Sequence, residues 1–414
     1  MTKYLRLYIL FLFFSITGFS QISKVHYIPP LTNNKSLSGG SSIPLDQYMY
    51  LSTPSENNVT VTITPLNGDS PTTYNNLSNG NPIRYDIGSS WSGTNYVPSQ
   101  LFVDHETTGG DTALNAGFVV EADCPIYVSI RYNAGAQAGA LVSKGDASLG
   151  TNFRAGMMTN GTIQTANPHW TANSFFSVMA TQDNTIVAID LPNAIVGETT
   201  LSNYNYQGPF TKVLQKHESM VLSLDFENTN ANNGGARNSL NGALIRSVDD
   251  NGVEDGTKPL VVNVGSASGS FTSTGSGHDH GVDQIVGLDR VGHEYIFVRG
   301  NGQNKNDGGQ IETPLIIGTK DNTSLYINGS NTAVATIDAG DLWLATTDLW
   351  SSQNQGATMY IRTQDKNYPV YAYQGVGGNG DSEANQGMFF VPPISEEAND
   401  LSLIHISEPT RRLV

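Results

Sequence analysis

The chain has 414 residues, with 21 Lys+Arg against 37 Asp+Glu, 14% charged residues, 43 Gly and a single Cys. Ordinary soluble domains carry roughly 25% charged residues, so this composition argues against a helical protein with a Lys/Glu surface and favours an exported all-β one. A net charge of −16 disfavours nucleic acid or an anionic membrane as partner, because such partners demand a basic surface.

In chain order, Lys3 and Arg6 precede an apolar run from Leu7 to Phe14, and Gly18 and Ser20 supply the small residues of a cleavage site. Residues 1–20 therefore read as a signal peptide cut before Gln21. The apolar run falls short of the roughly 20 residues that a membrane span needs. The lone Cys124 leaves no partner for a disulfide within the chain, and its place before Pro125-Ile126 predicts a small buried residue at a strand entrance.

One pattern then occurs three times: Ser55 to Ile63, Thr181 to Ile189 and Thr319 to Ile327. Each is a polar Asp/Asn turn that tolerates left-handed φ, followed by β-branched alternation. Later in each repeat a strand opens with proline, at Pro125, Pro259 and Pro369, a position where no ladder donor is needed. Middle strands are expected at Pro82 to Ile87, Ser219 to Leu224 and Asp341 to Ala345. The reading is three tandem homologous antiparallel β-units over 21–148, 149–276 and 277–400, with five or six strands each in meander order. They are sandwich-like and packed with pseudo-threefold character; the alternative is a β-propeller-like closed array. His26-Tyr27-Ile28-Pro29-Pro30-Leu31 and Phe389-Phe390-Val391-Pro392-Pro393-Ile394 punctuate the two ends, where paired prolines stiffen crossings between units. The segment Leu401 to Arg411 reads as a translated sequencing adapter, so 401–414 is expected to be an artefact, with native C-terminal domains lost beyond it.

The densest ionisable cluster is His278, Asp279, His280, Asp283, His293 and Glu294. Such residues can ligate a transition metal, but strand alternation separates neighbours onto opposite faces. Asp279 and Gln284 bonding backbone groups at a junction between units is the preferred reading. Asp249, Asp250 and Asn251 offer oxygen ligands for calcium, yet the spacing fails an EF-hand because Val253 stands at a ligand position, and an exposed acidic hairpin tip is expected instead. Gly375 to Gly380 matches a dinucleotide fingerprint without the helix that it requires. Hydrolase elbows, phosphate loops and His-Glu-x-x-His are absent from the sequence. Among aromatics in turn-rich surroundings, Trp91, Trp170 and Trp350 are the candidate ligand contacts, with Tyr96, Tyr204 and Tyr206 beside them.

The stretch Gly277 to Leu288 followed by Val291 to Tyr295 resembles the IgG Fc-binding protein N-terminal domain family. Asp279, His280, Gln284, Gly292 and Tyr295 carry the resemblance, while Gly287 stands where proline is usual. The likeness covers most of Tyr27 to Ile394. It implies a non-catalytic extracellular or cell-surface binding and adhesion module of a larger bacterial protein, without cofactor, whose partner is a glycoprotein or polysaccharide. The alternatives are a structural spacer and a carbohydrate-active hydrolase.

Overall fold

The computed structural model describes residues 22–33, 44–90, 92–93, 97–104, 112–134, 137–159, 174–201, 204–224, 238–269, 279–300, 312–352, 354–376 and 387–394. Residues 1–20, expected to be a signal peptide, segment 401–414, His278 and most of the Gly375 to Gly380 loop lie outside them. Among the described residues no helix is long and apolar enough to cross a membrane.

Two burial patterns build the fold. Some strands alternate: Val59, Val61 and Ile63 are fully buried while the threonines between them face outward, and Val187 with Ile189 and Leu325 with Ile327 repeat the pattern. Others, such as Ser174–Ala180 and Pro314–Gly318, are buried along their whole length. The first kind closes one face of a core; the second lies between two cores.

The first block holds β1 (Ser23–Ile28), β2 (Leu31–Asn33), β3 (Asp46–Ser52), β4 (Val59–Pro65), β5 (Thr72–Leu77), β6 (Ile83–Gly88), β7 (Phe102–Asp104), β8 (Phe118–Ala134) and β9 (Gln137–Val142). The second holds β10 (Asn152–Arg154), β11 (Ser174–Ala180), β12 (Thr185–Asp190), β13 (Thr200–Leu201), β14 (Tyr204–Asn205), β15 (Phe210–Leu214), β16 (Ser219–Ser223), β17 (Leu244–Val248), β18 (Leu260–Gly269) and β19 (Asp279–Ile285). The third holds β20 (Glu294–Val298), β21 (Pro314–Gly318), β22 (Thr323–Ile327), β23 (Ala335–Ile337), β24 (Leu342–Leu344), β25 (Thr358–Arg362), β26 (Val370–Val376) and β27 (Gly387–Phe390).

The protein is all-β, with antiparallel sheets as expected. In the third block an outer sheet runs β20-β25-β22-β23 and an inner one β24-β21-β26-β27; the second block repeats this order as β10-β17-β12-β15 and β16-β11-β18-β19. In the first block the 17-residue β8 serves both sheets, pairing β1 and β4 through its first half and β3 and β9 through its second. This corrects the meander expectation, because the chain crosses between sheets at almost every connection. By pairing, β19 lies in the same sheet as β18, and it is grouped with the second block for that reason. Cys124 is also corrected: it sits mid-strand in β8 on the exposed side.

Recurrent local chemistry marks the three blocks. Thr53 Oγ1 donates to the Pro125 carbonyl (3.0 Å), Thr181 Oγ1 to that of Pro259 (2.6 Å) and Thr319 Oγ1 to that of Pro369. In the second and third blocks Asn184 and Asn322 adopt φ of 52° and 60°, the left-handed turn conformation that asparagine tolerates.

The cores interlock in sequence order. The third block's two sheets enclose Tyr295, Phe297, Ile316, Leu325, Met359 and Ala372. The far face of its inner sheet gives Leu315, Ile317, Tyr371 and Tyr373 to the second core. The second block's inner sheet likewise gives Phe175, Val221 and Val282 to the first core. The corresponding face of the first block carries Tyr50, 40% exposed, and Val142, 37% exposed.

Where the second and third blocks meet, Gly242 has φ +78°, and a Cβ there would lie 1.9 Å from the Gly340 carbonyl oxygen. Gly252 has the same φ but nothing within 4 Å of a Cβ. Gly252→Ala is expected to cost only the left-handed strain of about 1–2 kcal/mol, and Gly242→Ala to cost more than twice as much in urea unfolding, since backbone must also move.

Candidate binding site at the three-sheet junction

The fourth strands of the inner sheets, β9, β19 and β27, converge, with β19 packed against both of the others. Gln284 on β19 is fully buried there. Its Oε1 accepts the Lys144 N–H (2.7 Å) and lies 3.2 Å from the Ser143 hydroxyl; its Nε2 donates to the Tyr27 carbonyl (3.0 Å) and to Asn263 Oδ1 (3.2 Å). All four hydrogen-bonding positions of the amide are thus filled, which offsets its desolvation. Asn263 Nδ2 passes the chain of bonds on to the Pro29 carbonyl (2.9 Å), so the first Pro-Pro crossing is tied to the second block.

Beside it, Asp283 is buried as an ion pair with Lys144 (2.6 Å). The carboxylate also accepts the Gln284 and Phe390 N–H groups (2.8 and 2.7 Å). Lys144 follows β9, Asp283 lies on β19 and Phe390 on β27, so one carboxylate ties together all three blocks. Asp283, which the sequence reading did not single out for this role, bonds backbone at the junction. The Asp279 side chain lies outside the described residues.

His26 completes the seam: Nδ1 lies 3.0 Å from the Ser143 hydroxyl, and Nε2 lies 3.0 and 3.2 Å from the Ile126 and Ser23 carbonyls. Burial lowers its pKa to about 4 against backbone bonds that oppose the shift. His280 is lowered to about 4 by burial too, with its ring edge-on to Tyr132 at 5.3 Å.

Tyr295 turns the corner into the third block. Its hydroxyl accepts the Gly292 N–H (3.0 Å) and donates to the Val370 carbonyl, and burial pushes the phenol above its usual range. Gly287 has φ −64°, the value that a proline ring imposes, and its backbone lies against Gly150.

Other sequence candidates separate. Among the described residues no group of three metal-ligating side chains converges. Glu294 instead accepts the Tyr360 hydroxyl (2.6 Å). Asp249 Oδ1 accepts the N–H groups of Val253 and Asn251 (2.9 Å each), bonds that hold its carboxyl below the usual range. Asp249, Asp250 and Asn251 therefore form an exposed hairpin tip closed by Asp249 itself. Trp350 is a correction: it is 4% exposed within the third core and presents no contact surface. Tyr206 is buried as well, and Tyr204 is half-buried against Phe210. Trp91, Tyr96 and Trp170 lie outside the described residues.

Alongside the seam opens a cleft of about 670 Å³, lined from the first block by Asp46, Tyr48, Arg131 and Asn133 and from β27 by Met388 and Phe389. His280 and Asp283 form part of its floor. Tyr48 and Tyr50 share one face of β3 with rings 6.3 Å apart, and the Arg84 guanidinium lies 4.8 Å over Tyr48. The sequence signal was their alternation with Met49 and Leu51, which is indistinguishable from an ordinary half-buried strand.

Fold and junction together define an array of interlocked β-sheets with a cleft beside the seam. The family described as IgGFc binding protein matches residues 138–411, and the chain belongs to that family. The match starts in β9, so it is narrower than the expected likeness from Tyr27 and leaves out most of the first block. No curated protein and no solved structure matches the chain.

Two outcomes follow. Lys144→Met strands Asp283 and is expected to cost about 3–5 kcal/mol in urea unfolding, whereas Lys24→Met on the exposed side of β1 stays within about 0.5 kcal/mol. Both buried histidines remain neutral in the fold down to about pH 4, while the unfolded chain takes up protons near 6.5. The unfolded state binds more protons in that window, so stability falls as pH drops from 6.5 toward 4, on the order of 3 kcal/mol per histidine at full effect. Urea titrations of His26→Asn and His280→Asn should each show a shallower dependence over that interval.

Proposed function

We propose that this protein is a non-catalytic extracellular binding module of the adhesion type, recognising a glycoprotein or glycan, with the junction cleft as its contact surface. Membership of the IgGFc-binding family and the signal-peptide pattern support an exported binding protein. The observation that carries the reading is the cleft itself, where exposed Arg131 and 37%-exposed Phe389 stand with Tyr48. Tyr and Arg dominate the energetics of reversible interfaces because rigid rings and planar guanidinium groups bury area at low entropic cost. Its volume lies within the usual range for ligand sites.

The test is binding of the recombinant chain to immobilised mucin, IgG Fc and a glycan panel, with and without a chelator. Saturable binding to one class is expected, unchanged by chelator and weakened at least tenfold by Tyr48→Ala or Arg131→Ala, a loss of about 1.4 kcal/mol or more. Absence of saturable binding, or binding indifferent to both substitutions, would sink the proposal.

A further inference from the structure

We infer that the ligand of this cleft is a carbohydrate chain held through its sugar rings, an inference that rests on the cleft being the binding surface proposed above. Strand register sets the side chains out in rows on one sheet face. Asn133 pairs with Asp46 on one side and Ala138 on the other, Arg131 with Tyr48 and Ala140, and Ser129 with Tyr50 and Val142. A ligand crossing the face therefore meets a polar row, then an aromatic row edged by a cation, about 7 Å apart.

The polar row mixes donors and acceptors. Asn133 Nδ2 donates to Asp46 Oδ2 (3.0 Å), which leaves the other Asp46 oxygen and Asn133 Oδ1 as acceptors. The Arg131 guanidinium makes no hydrogen bond or ion pair among the described residues and supplies donors beside them. Acceptors next to donors suit vicinal hydroxyls, which both donate and accept hydrogen bonds, and Asp46 opposes a phosphate or other strongly anionic ligand. Tyr48 and Phe389 add aromatic surface for the apolar C–H faces of sugar rings.

Comparison among the blocks argues against another β-unit as occupant. Where the equivalent face is covered by a neighbouring block, it presents Phe175 and Val221 with the amides of Asn263 and Gln284 bonded into the seam, or Leu315, Ile317 and Tyr371. The first block has tyrosine, arginine, asparagine and aspartate there instead, a face made for a hydrated partner. These four cleft residues also lie before the family span at 138, so the family's description does not prescribe what they bind.

The deciding experiment is titration of the full chain with neutral oligosaccharides by calorimetry, together with binding to mucin before and after enzymatic removal of its glycans. Expected are saturable oligosaccharide binding, loss of mucin binding on deglycosylation, and at least tenfold weakening by Arg131→Ala and Tyr48→Ala with thermal unfolding unchanged. Tyr48→Phe, which keeps the ring, should bind within threefold of the parent. Mucin binding that survives deglycosylation but falls in the cleft variants would overturn the carbohydrate inference and leave the binding module standing. Binding that ignores the cleft variants, or no binding to either probe, would overturn both.

Discussion

Everything in this molecule hangs on how polar groups are satisfied where three sheets meet and two of them are buried on both sides. A strand that lies between two cores has no solvent face on which to place a side-chain amide or carboxylate, and each one left unpaired costs on the order of 1–3 kcal/mol. Gln284 meets that constraint by using both lone pairs and both N–H bonds within the seam. Asp283 meets it by accepting two backbone N–H groups and one ammonium. Because the partners come from three separate stretches of chain, the bonds can be made in only one relative placement of the blocks. Apolar packing alone would tolerate sliding; a saturated amide does not.

That placement explains why the blocks share a strand order but not a surface. Each inner sheet after the first closes the core of the block before it, so its far face is buried: apolar at Phe175, Val221, Leu315 and Ile317, and bonded across the seam where it is polar, at Asn263 and Gln284. The first block's sheet has no such duty. Its far face is released to carry Tyr48, Tyr50 and Arg131, and the cleft forms where β27 approaches that face beside the seam.

Much of the outer layer was legible in the sequence. Asp/Asn turns with left-handed φ, threonine alternation and strand-opening prolines all depend on local chemistry, and Asn184, Asn322 and the three Thr–Pro bonds show it at work. The inner layer was not. Strands buried on both faces lose the period-2 signal, so their pairing order cannot be counted off, and the crossovers between sheets were read as a meander. Cys124 and Trp350 were misplaced for the same reason: exposure at those positions is decided by which sheet the strand joins and what packs on it. Gln284, Gly292 and Tyr295 were singled out by resemblance, and their roles at the junction are tertiary. Lys144 carried no signal, since nothing local says that a lysine after β9 will meet an aspartate 139 positions later.

The division between seam and cleft has a mechanical consequence. Asp283, Gln284 and Tyr295 lie inside the span that defines the family and fix the sheets against one another. Asp46, Tyr48, Arg131 and Asn133 lie outside it on strands whose buried faces, through Met49, Leu51 and Ile130, hold the first core independently of what their other faces carry. Strand alternation thus uncouples recognition from folding at single-residue spacing. A substitution at Tyr48 or Arg131 changes the ligand surface while the side chains at 49 and 130 keep their places. The same change at 283 or 284 would disturb the seam on which the cleft's shape depends. In a chain with one exposed cysteine and no disulfide to brace it, this separation lets a binding face vary over a fixed, hydrogen-bonded frame.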